Sequence, residues 1–327
     1  MTETILPGER RDIQGDGCRL SVTVVGEGPL LILMHGWPEL ALSWRHLVAP
    51  LAAAGYQVAV PDMRGYGASE KPDDPLAYRL DVIARDMDAI ARELGAETFV
   101  AIGHDWGALC AWGTALRLGP VRVRAVLAMS VPYSPPLKRP YADLLDKLYP
   151  DQFFYIRYFQ DIGVVEAEFE GHGARKVLKS VYYKSSAAGI ANNVAGATPR
   201  DAPFMASLSP PPEGPLVFMS DAELDQYAQA FEAGGWRGPI NYYRNFDRNF
   251  ASSLALGDYA IQQPAGFIAG AMDPVVTMFP NQLETMRSLC RDYRLERMIE
   301  GAGHWVQQEA PEETVAATLE FLRGLRG

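Results

Sequence analysis

One short segment limits what this chain can fold into more than any other. Gly103-His104-Asp105-Trp106-Gly107 follows the apolar run Phe99-Val100-Ala101-Ile102 and precedes a helical stretch from about residue 108 to 118. A short continuous apolar run reads as a strand buried on both faces, the kind found in parallel sheets. A sharp turn between such a strand and a helix is strained, and it accepts only small residues two positions to either side of its apex. The apex here is Asp105.

The same alternation recurs along the chain. Residues 30–34, 57–60, 124–129, 266–269 and 293–299 read as strands. Residues 43–54 read as a helix that Pro50 should break or restart. Residues 79–94 form a cleaner helix, with Ile83, Met87, Ile90 and Leu94 on one face and Gly95 as the stop. Further helices are expected over 282–289 and from Pro311-Glu312-Glu313, where proline opens the first turn and the acids favour the positive end of the dipole. Strands alternating with helices predict an α/β fold, a mostly parallel sheet flanked by helices.

Residues 131–257 break the pattern. They contain no buried-strand run and read as short helices joined by turns. One spans 221–233, opened by a Ser220–Glu223 capping box and closed by Gly234-Gly235. Residues 198–215 hold six prolines and read as a loop, and 11 of the 15 tyrosines lie between Tyr133 and Tyr259. The expected organisation is a core of residues 1–131 and 252–327 carrying an inserted helical cap, or lid, of residues 132–251, which builds a pocket.

Composition excludes several functions. With 30 Lys+Arg against 40 Asp+Glu the formal net charge is −10, and a polyanion such as nucleic acid is not an expected partner. At 327 residues, 48% hydrophobic and 21% charged, the chain is long and apolar enough for a sizeable core. Cys18, Cys110 and Cys290 are odd in number and widely spaced, as reduced thiols would be, and no apolar run is long enough to span a bilayer. Residues 1–12 carry charges of both signs without an apolar stretch, so no signal peptide is expected and the location is read as cytoplasmic.

Asp in place of Ser at the apex changes the chemistry. A carboxylate, with an ordinary pKa of about 3.9, needs no deprotonation at neutral pH and can attack an sp³ carbon to form an alkyl ester. Cleaving that ester requires a general base and an oxyanion hole. Where a nucleophile sits on such a turn, its acid and histidine follow in that chain order. Asp273, in Gly270-Ala271-Met272-Asp273-Pro274, and His304, in Gly301-Ala302-Gly303-His304-Trp305, each follow a late strand and fit those places. The alternative acid position, one strand earlier, reads Met129-Ser130-Val131-Pro132 and offers no carboxylate. The oxyanion hole would be made by the backbone N–H groups of Trp37, in His35-Gly36-Trp37-Pro38-Glu39, and of Trp106. His104 and Glu39 either line a water route or are held structurally. His46 and His172 read as surface residues, Cys110 as a small core residue, and Gly65 and Gly67 as turn formers.

These motifs resemble the soluble epoxide hydrolases of the α/β-hydrolase fold from about Arg11 to the C-terminus. The matching segments are HGWPE at His35, DMRGYGAS at Asp62, GHDWG around Asp105, YFQDIGVVEAE at Tyr158, NYYRN at Asn241 and GAGHW at Gly301. By position in the family pattern, Tyr155 and Tyr243 correspond to two lid tyrosines that activate the epoxide oxygen. Periodicity alone leaves Tyr155 and Tyr158 equivalent. On a helix through Asn241, Tyr242, Phe246 and Phe250 would form a packing stripe, with Tyr243 about 100° round from it. The resemblance implies hydrolysis of an epoxide to a vicinal diol through an ester on Asp105, with no metal or organic cofactor. The rival readings are a haloalkane or haloacid dehalogenase with the same nucleophile, or a non-catalytic small-ligand receptor. A phenol favours the epoxide, because ring opening leaves a basic alkoxide that needs a proton donor, whereas expelled halide needs none.

Overall fold

Eight strands hydrogen-bond into one sheet, and the order in which they lie explains where the chemistry collects. The computed structural model describes residues 6–135, 140–192, 198–277 and 281–325; the first five residues of the segment considered for a leader lie outside them. The strands are β1 (Glu9–Gln14), β2 (Arg19–Val25), β3 (Leu30–Met34), β4 (Gln57–Pro61), β5 (Phe99–His104), β6 (Val123–Met129), β7 (Ile261–Gly270) and β8 (Cys290–Ile299), in the spatial order β1-β2-β4-β3-β5-β6-β7-β8. From β4 to β8 every neighbouring pair is parallel, and only the β1–β2 and β2–β4 pairs are antiparallel. The first two strands escape a search for apolar runs because β1 is almost wholly exposed. In β2 the alternation Leu20-Ser21-Val22-Thr23-Val24 was the available signal.

Helices cover both faces of the sheet. On one side α1 (Arg45–Ala53) meets α15 (Pro311–Gly324) over Leu31, Leu33, Ile102 and Leu127; on the other, α2 (Leu80–Glu93) and α3 (Trp106–Leu118) pack over Leu30, Ile32, Ala101 and Val126. The face expected of α2 is the buried one: Ile83, Met87 and Ile90 are 0–1% exposed, each stabilising the fold by roughly 1.5–3 kcal/mol. Pro50 does not break α1. It removes one intrahelical donor, but its own carbonyl still accepts from Ala54 N–H at 3.0 Å.

Between β6 and β7 the chain forms α4 (Tyr141–Leu148), α5 (Tyr155–Tyr158), α6 (Val164–His172), α7 (Ala174–Ser185), α8 (Ala187–Ala191), α9 (Asp221–Gly234), α10 (Arg237–Asn241) and α11 (Phe246–Leu254). The Ser220–Glu223 capping box opens α9 as the sequence indicates. Helix α11 runs across the expected core–cap boundary at 251/252, so the chain returns to the sheet after Leu254. The helix read through Asn241 is not continuous either. A 3-10 turn, Tyr243–Asn245, separates α10 from α11. Tyr242 and Phe246 still meet, both packing on Trp106, while the side chain of Phe250 lies outside those described. The proline-rich stretch is a loop with one 3-10 turn, Phe204–Ser207, whose Phe204 is buried. The remaining helices are α12 (Pro274–Thr277), α13 (Asn281–Leu289) and α14 (Val306–Glu309). No helix among the described residues is long and apolar enough to cross a membrane.

Candidate active site

The elbow is built by exclusion. Strand β5 ends at His104 and α3 begins at Trp106, leaving Asp105 alone at the turn with φ 53° and ψ −119°, a conformation that costs a non-glycine residue about 1–3 kcal/mol. So tight a turn presses α3 against the strands. A Cβ on Gly107 would stand 1.9 Å from the Met34 carbonyl oxygen, and one on Gly36 would stand 2.4 Å from the Asp105 Cβ. The Asp105 side chain does not cap α3, the ordinary use of an Asp before a helix. Its Oδ1 instead accepts from the Trp37 N–H at 2.7 Å. As the first residue of α3, Trp106 has an N–H without an intrahelical partner, and the helix presents its positive end to the same carboxylate.

His304 and Asp273 arrive from the far side of the sheet. Asp273, in the turn after β7, is fully buried, and both its oxygens lie 3.0–3.1 Å from His304 Nδ1. His304 Nε2 then faces Asp105 Oδ2 at 3.4 Å. Burial works to lower the imidazole pKa, but the Asp273 and Asp105 carboxylates outweigh it and hold His304 well above its ordinary value. The backbone of this loop is also fixed. The His304 carbonyl accepts from Ser130 Oγ at 2.8 Å and bonds His104 Nε2 at 2.7 Å. Ser130 occupies the alternative acid position and takes φ 68° to reach it.

Glu39 and His104 resolve into a buried hub behind the elbow. Glu39 Oε1 accepts from Gln307 and Gln308, while Oε2 accepts from Gly36 N–H at 2.9 Å and lies 2.8 Å from His104 Nδ1. Both nitrogens of His104 face oxygens, Nδ1 the Glu39 carboxylate and Nε2 the His304 carbonyl. Burial opposes the Glu39 charge, but His104 and the Gly36 N–H overcome it and draw the carboxyl pKa down to about 2. The Trp37–Pro38 peptide inside this loop is cis. His46 and His172 are exposed, and Cys110 is a buried core residue.

The insertion brings Tyr155 and Tyr243 over Asp105. Their rings stand edge to face at 5.7 Å, and Tyr243 also packs on Trp106 at 5.0 Å and Trp37 at 5.8 Å. Burial, reinforced by the nearby Asp105 charge, pushes both phenols well above the ordinary 10.0. Tyr158, equivalent to Tyr155 by periodicity, turns away and donates to Glu168 Oε2 at 2.7 Å. Tyr242 is buried and donates to the Arg64 carbonyl at 3.0 Å. Among the described residues, no group of three or more His, Cys, Asp or Glu side chains is placed to hold a metal ion. One participant escaped the sequence reading altogether. Gln307-Gln308-Glu309 follows the His304 loop directly, and a polar run in that place was the only available signal of a hydrogen-bonding shell.

A carboxylate on a strained strand–helix turn, a histidine–aspartate pair and a backbone donor define a hydrolase site on a parallel sheet. Residues 29–311 match the alpha/beta hydrolase fold family, and the chain belongs to it. Within that fold it belongs to the epoxide hydrolases. It is 41% identical to Epoxide hydrolase A of Mycobacterium tuberculosis over 98% of both chains, and 34% identical to Epoxide hydrolase B of the same species over 92% of this chain and 93% of that one. Among solved structures, Epoxide Hydrolase A from Mycobacterium thermoresistibile superposes with a TM-score of 0.90 at 39% identity, covering 97% of this chain and 99% of that one. Potato epoxide hydrolase I gives 0.85 at 31% identity with the same coverage.

Proposed function

We propose that this epoxide hydrolase works in two steps, with Asp105 as nucleophile and His304 as the base that regenerates it. In the first step Asp105 Oδ2 attacks a ring carbon while Tyr155 and Tyr243 hold the ring oxygen. The C–O bond breaks, the oxygen takes a phenolic proton, and a hydroxyalkyl ester remains on Asp105. Oδ1, already bonded to the Trp37 N–H, becomes the ester carbonyl oxygen. In the second step His304, oriented by Asp273, takes a proton from water as that water attacks Cγ. The N–H groups of Trp37 and Trp106 hold the oxyanion, and collapse releases a vicinal diol and restores the carboxylate.

The observation that carries this reading is the split position of His304, bonded to Asp273 through Nδ1 and 3.4 Å from Asp105 through Nε2. While Asp105 is charged, the two carboxylates favour an imidazolium. Ester formation removes the Asp105 charge and lowers the imidazole pKa, so the imidazolium proton passes to the phenolate left by ring opening. This restores the phenol and frees Nε2 to act as a base at the moment a base is needed. The two phenols support an epoxide over a halide, because they remain protonated donors at neutral pH. The insertion between β6 and β7 serves as the cap that brings those donors to the core, and three buried free thiols support a cytoplasmic location.

Mass spectrometry of His304→Gln incubated with styrene oxide tests the scheme. An adduct with the mass of the epoxide on Asp105 is expected, because alkylation proceeds and hydrolysis stops. An unmodified Asp105 together with full diol formation would rule out the covalent path.

A further inference from the structure

Glu309 has no role in the two steps above, yet three backbone donors converge on it. Its Oε2 accepts from Ala187 N–H at 2.7 Å and from Gly303 N–H at 3.2 Å, and its Oε1 accepts from Trp305 N–H at 3.0 Å. The donors come from two sides. Gly303 and Trp305 flank His304 in the core, whereas Ala187 opens α8 in the cap. Other bonds close the same seam. His304 N–H donates to the Ser185 carbonyl at 2.8 Å, and Trp305 Nε1–H donates to the Tyr182 carbonyl at 2.7 Å. Gly303 lies flat against the cap backbone, and a Cβ there would stand 2.4 Å from Ala187 N. Burial pushes the Glu309 carboxyl up, against the N–H groups and His304 that favour its charge.

We propose that Glu309 is a positioning residue for hydrolysis of the Asp105 ester, tying the backbone on both sides of His304 to the cap corner at residues 182–187. The inference rests on the covalent scheme above. Alkylation needs Asp105 and the two phenols, and Glu309 touches none of them. Hydrolysis needs His304 Nε2 to hold a water against the ester carbonyl, and a displacement of about 1 Å costs on the order of 100-fold in such a step. Glu309 therefore acts on the second step and not the first.

Stopped-flow fluorescence of Trp37 and Trp106, which flank Asp105, resolves the two steps with styrene oxide as substrate. In Glu309→Ala, ester hydrolysis is expected to slow about ten-fold or more while alkylation stays within about three-fold, given how steeply base placement sets the rate. The esterified fraction then rises during turnover, kcat and KM fall together, and kcat/KM stays near the parent value. A merely structural defect would lower kcat/KM and leave no ester. Glu309→Gln keeps one acceptor oxygen but sets an NH2 against a backbone donor, so it should show the same pattern more weakly, and it carries the test should the alanine variant not fold. Equal slowing of both steps, or rates unchanged in both variants, overturns the inference. His304→Gln separates the two levels of the argument. If it traps an ester and Glu309→Ala does not accumulate one, only the role of Glu309 is lost; if it traps none, the covalent scheme fails and this inference with it.

Discussion

Glu39 shows how a residue fully buried behind the elbow can be held in one protonation state by its surroundings. Its carboxyl is fully buried and accepts from two glutamine amides and a backbone N–H, beside the His104 ring. Its folded pKa, about 2, lies below the ordinary 4.5, so the stability it contributes is complete above about pH 4.5 and is lost as pH falls through about 2. At roughly 1.4 kcal/mol per pKa unit that contribution is of the order of 3 kcal/mol. Glu39→Gln should therefore be less stable than the parent by a few kcal/mol at pH 7, with the gap narrowing as the pH falls from about 4.5 to 2. Urea denaturation at pH 7, 4.5 and 3 measures it, and a gap independent of pH would contradict the assignment. The sequence made the residue types of this site legible, because Asp105, His304 and Asp273 each follow a strand. It left Glu39 and His104 undecided, since a short-range pattern carries no information about partners some 65 to 270 positions apart.

At the scale of elements, the elbow is where local sequence and tertiary packing agree. Strand β5 is continuous and apolar, α3 is helix-forming, and the glycines exist because the helix backbone lies against β3. Gly107→Ala would force a Cβ into the Met34 carbonyl and should cost about 3 kcal/mol or prevent folding, since backbone on both sides leaves nothing to yield. Gly113 lies on the same helix but a Cβ there would meet side chains rather than backbone, Leu80 at 3.3 Å and the Arg117 guanidinium at 3.4 Å, so Gly113→Ala should change stability by no more than about 1 kcal/mol. Thermal unfolding of the pair distinguishes close approach from helix propensity; similar losses in both would contradict it. The same scale shows how far periodicity carries. A 3-10 turn at Tyr243–Asn245 interrupts the expected helix, yet Tyr242 and Phe246 still share one neighbour, Trp106. Tyr243, off that stripe, packs on Trp37 and Trp106. Strands β1 and β2 lay outside the apolar-run reading because they alternate or lie exposed at the sheet edge, and pairing, β2 with β4 and β1 with β2, gives them a reason to extend.

Across the whole molecule, Asp105 and the Tyr155 and Tyr243 phenols lie on different parts of the chain, so the proposed reaction requires the insertion to be seated on the sheet. Two features hold it. Core residues Trp37, Tyr66 and Trp106 and cap residues Phe159, Phe169, Tyr242 and Tyr243 belong to one continuous buried cluster. Arg45 of α1 pairs with Glu223 of α9 at 2.5 Å, donates to the Phe218 carbonyl and to Gln308, and through Gln308 reaches Glu39 behind the elbow. With Arg45 3% exposed and Glu223 17%, removing the acid strands a nearly buried cation. Breaking such a pair from one side costs about 3 kcal/mol or more, somewhat less here because Glu223 meets solvent. Glu223→Ala also removes the reciprocal half of the α9 capping box, the bond from the Ser220 N–H to Glu223 Oε2, whereas Glu223→Gln keeps an acceptor for both partners and should lose roughly half as much. Because the aromatic cluster spans both parts, the loss should move the whole unfolding curve in urea, monitored by tryptophan fluorescence and far-UV circular dichroism together. A separate early transition in Glu223→Ala would mean that the cap folds on its own core. Coincident curves would mean that the insertion and the sheet it covers share one.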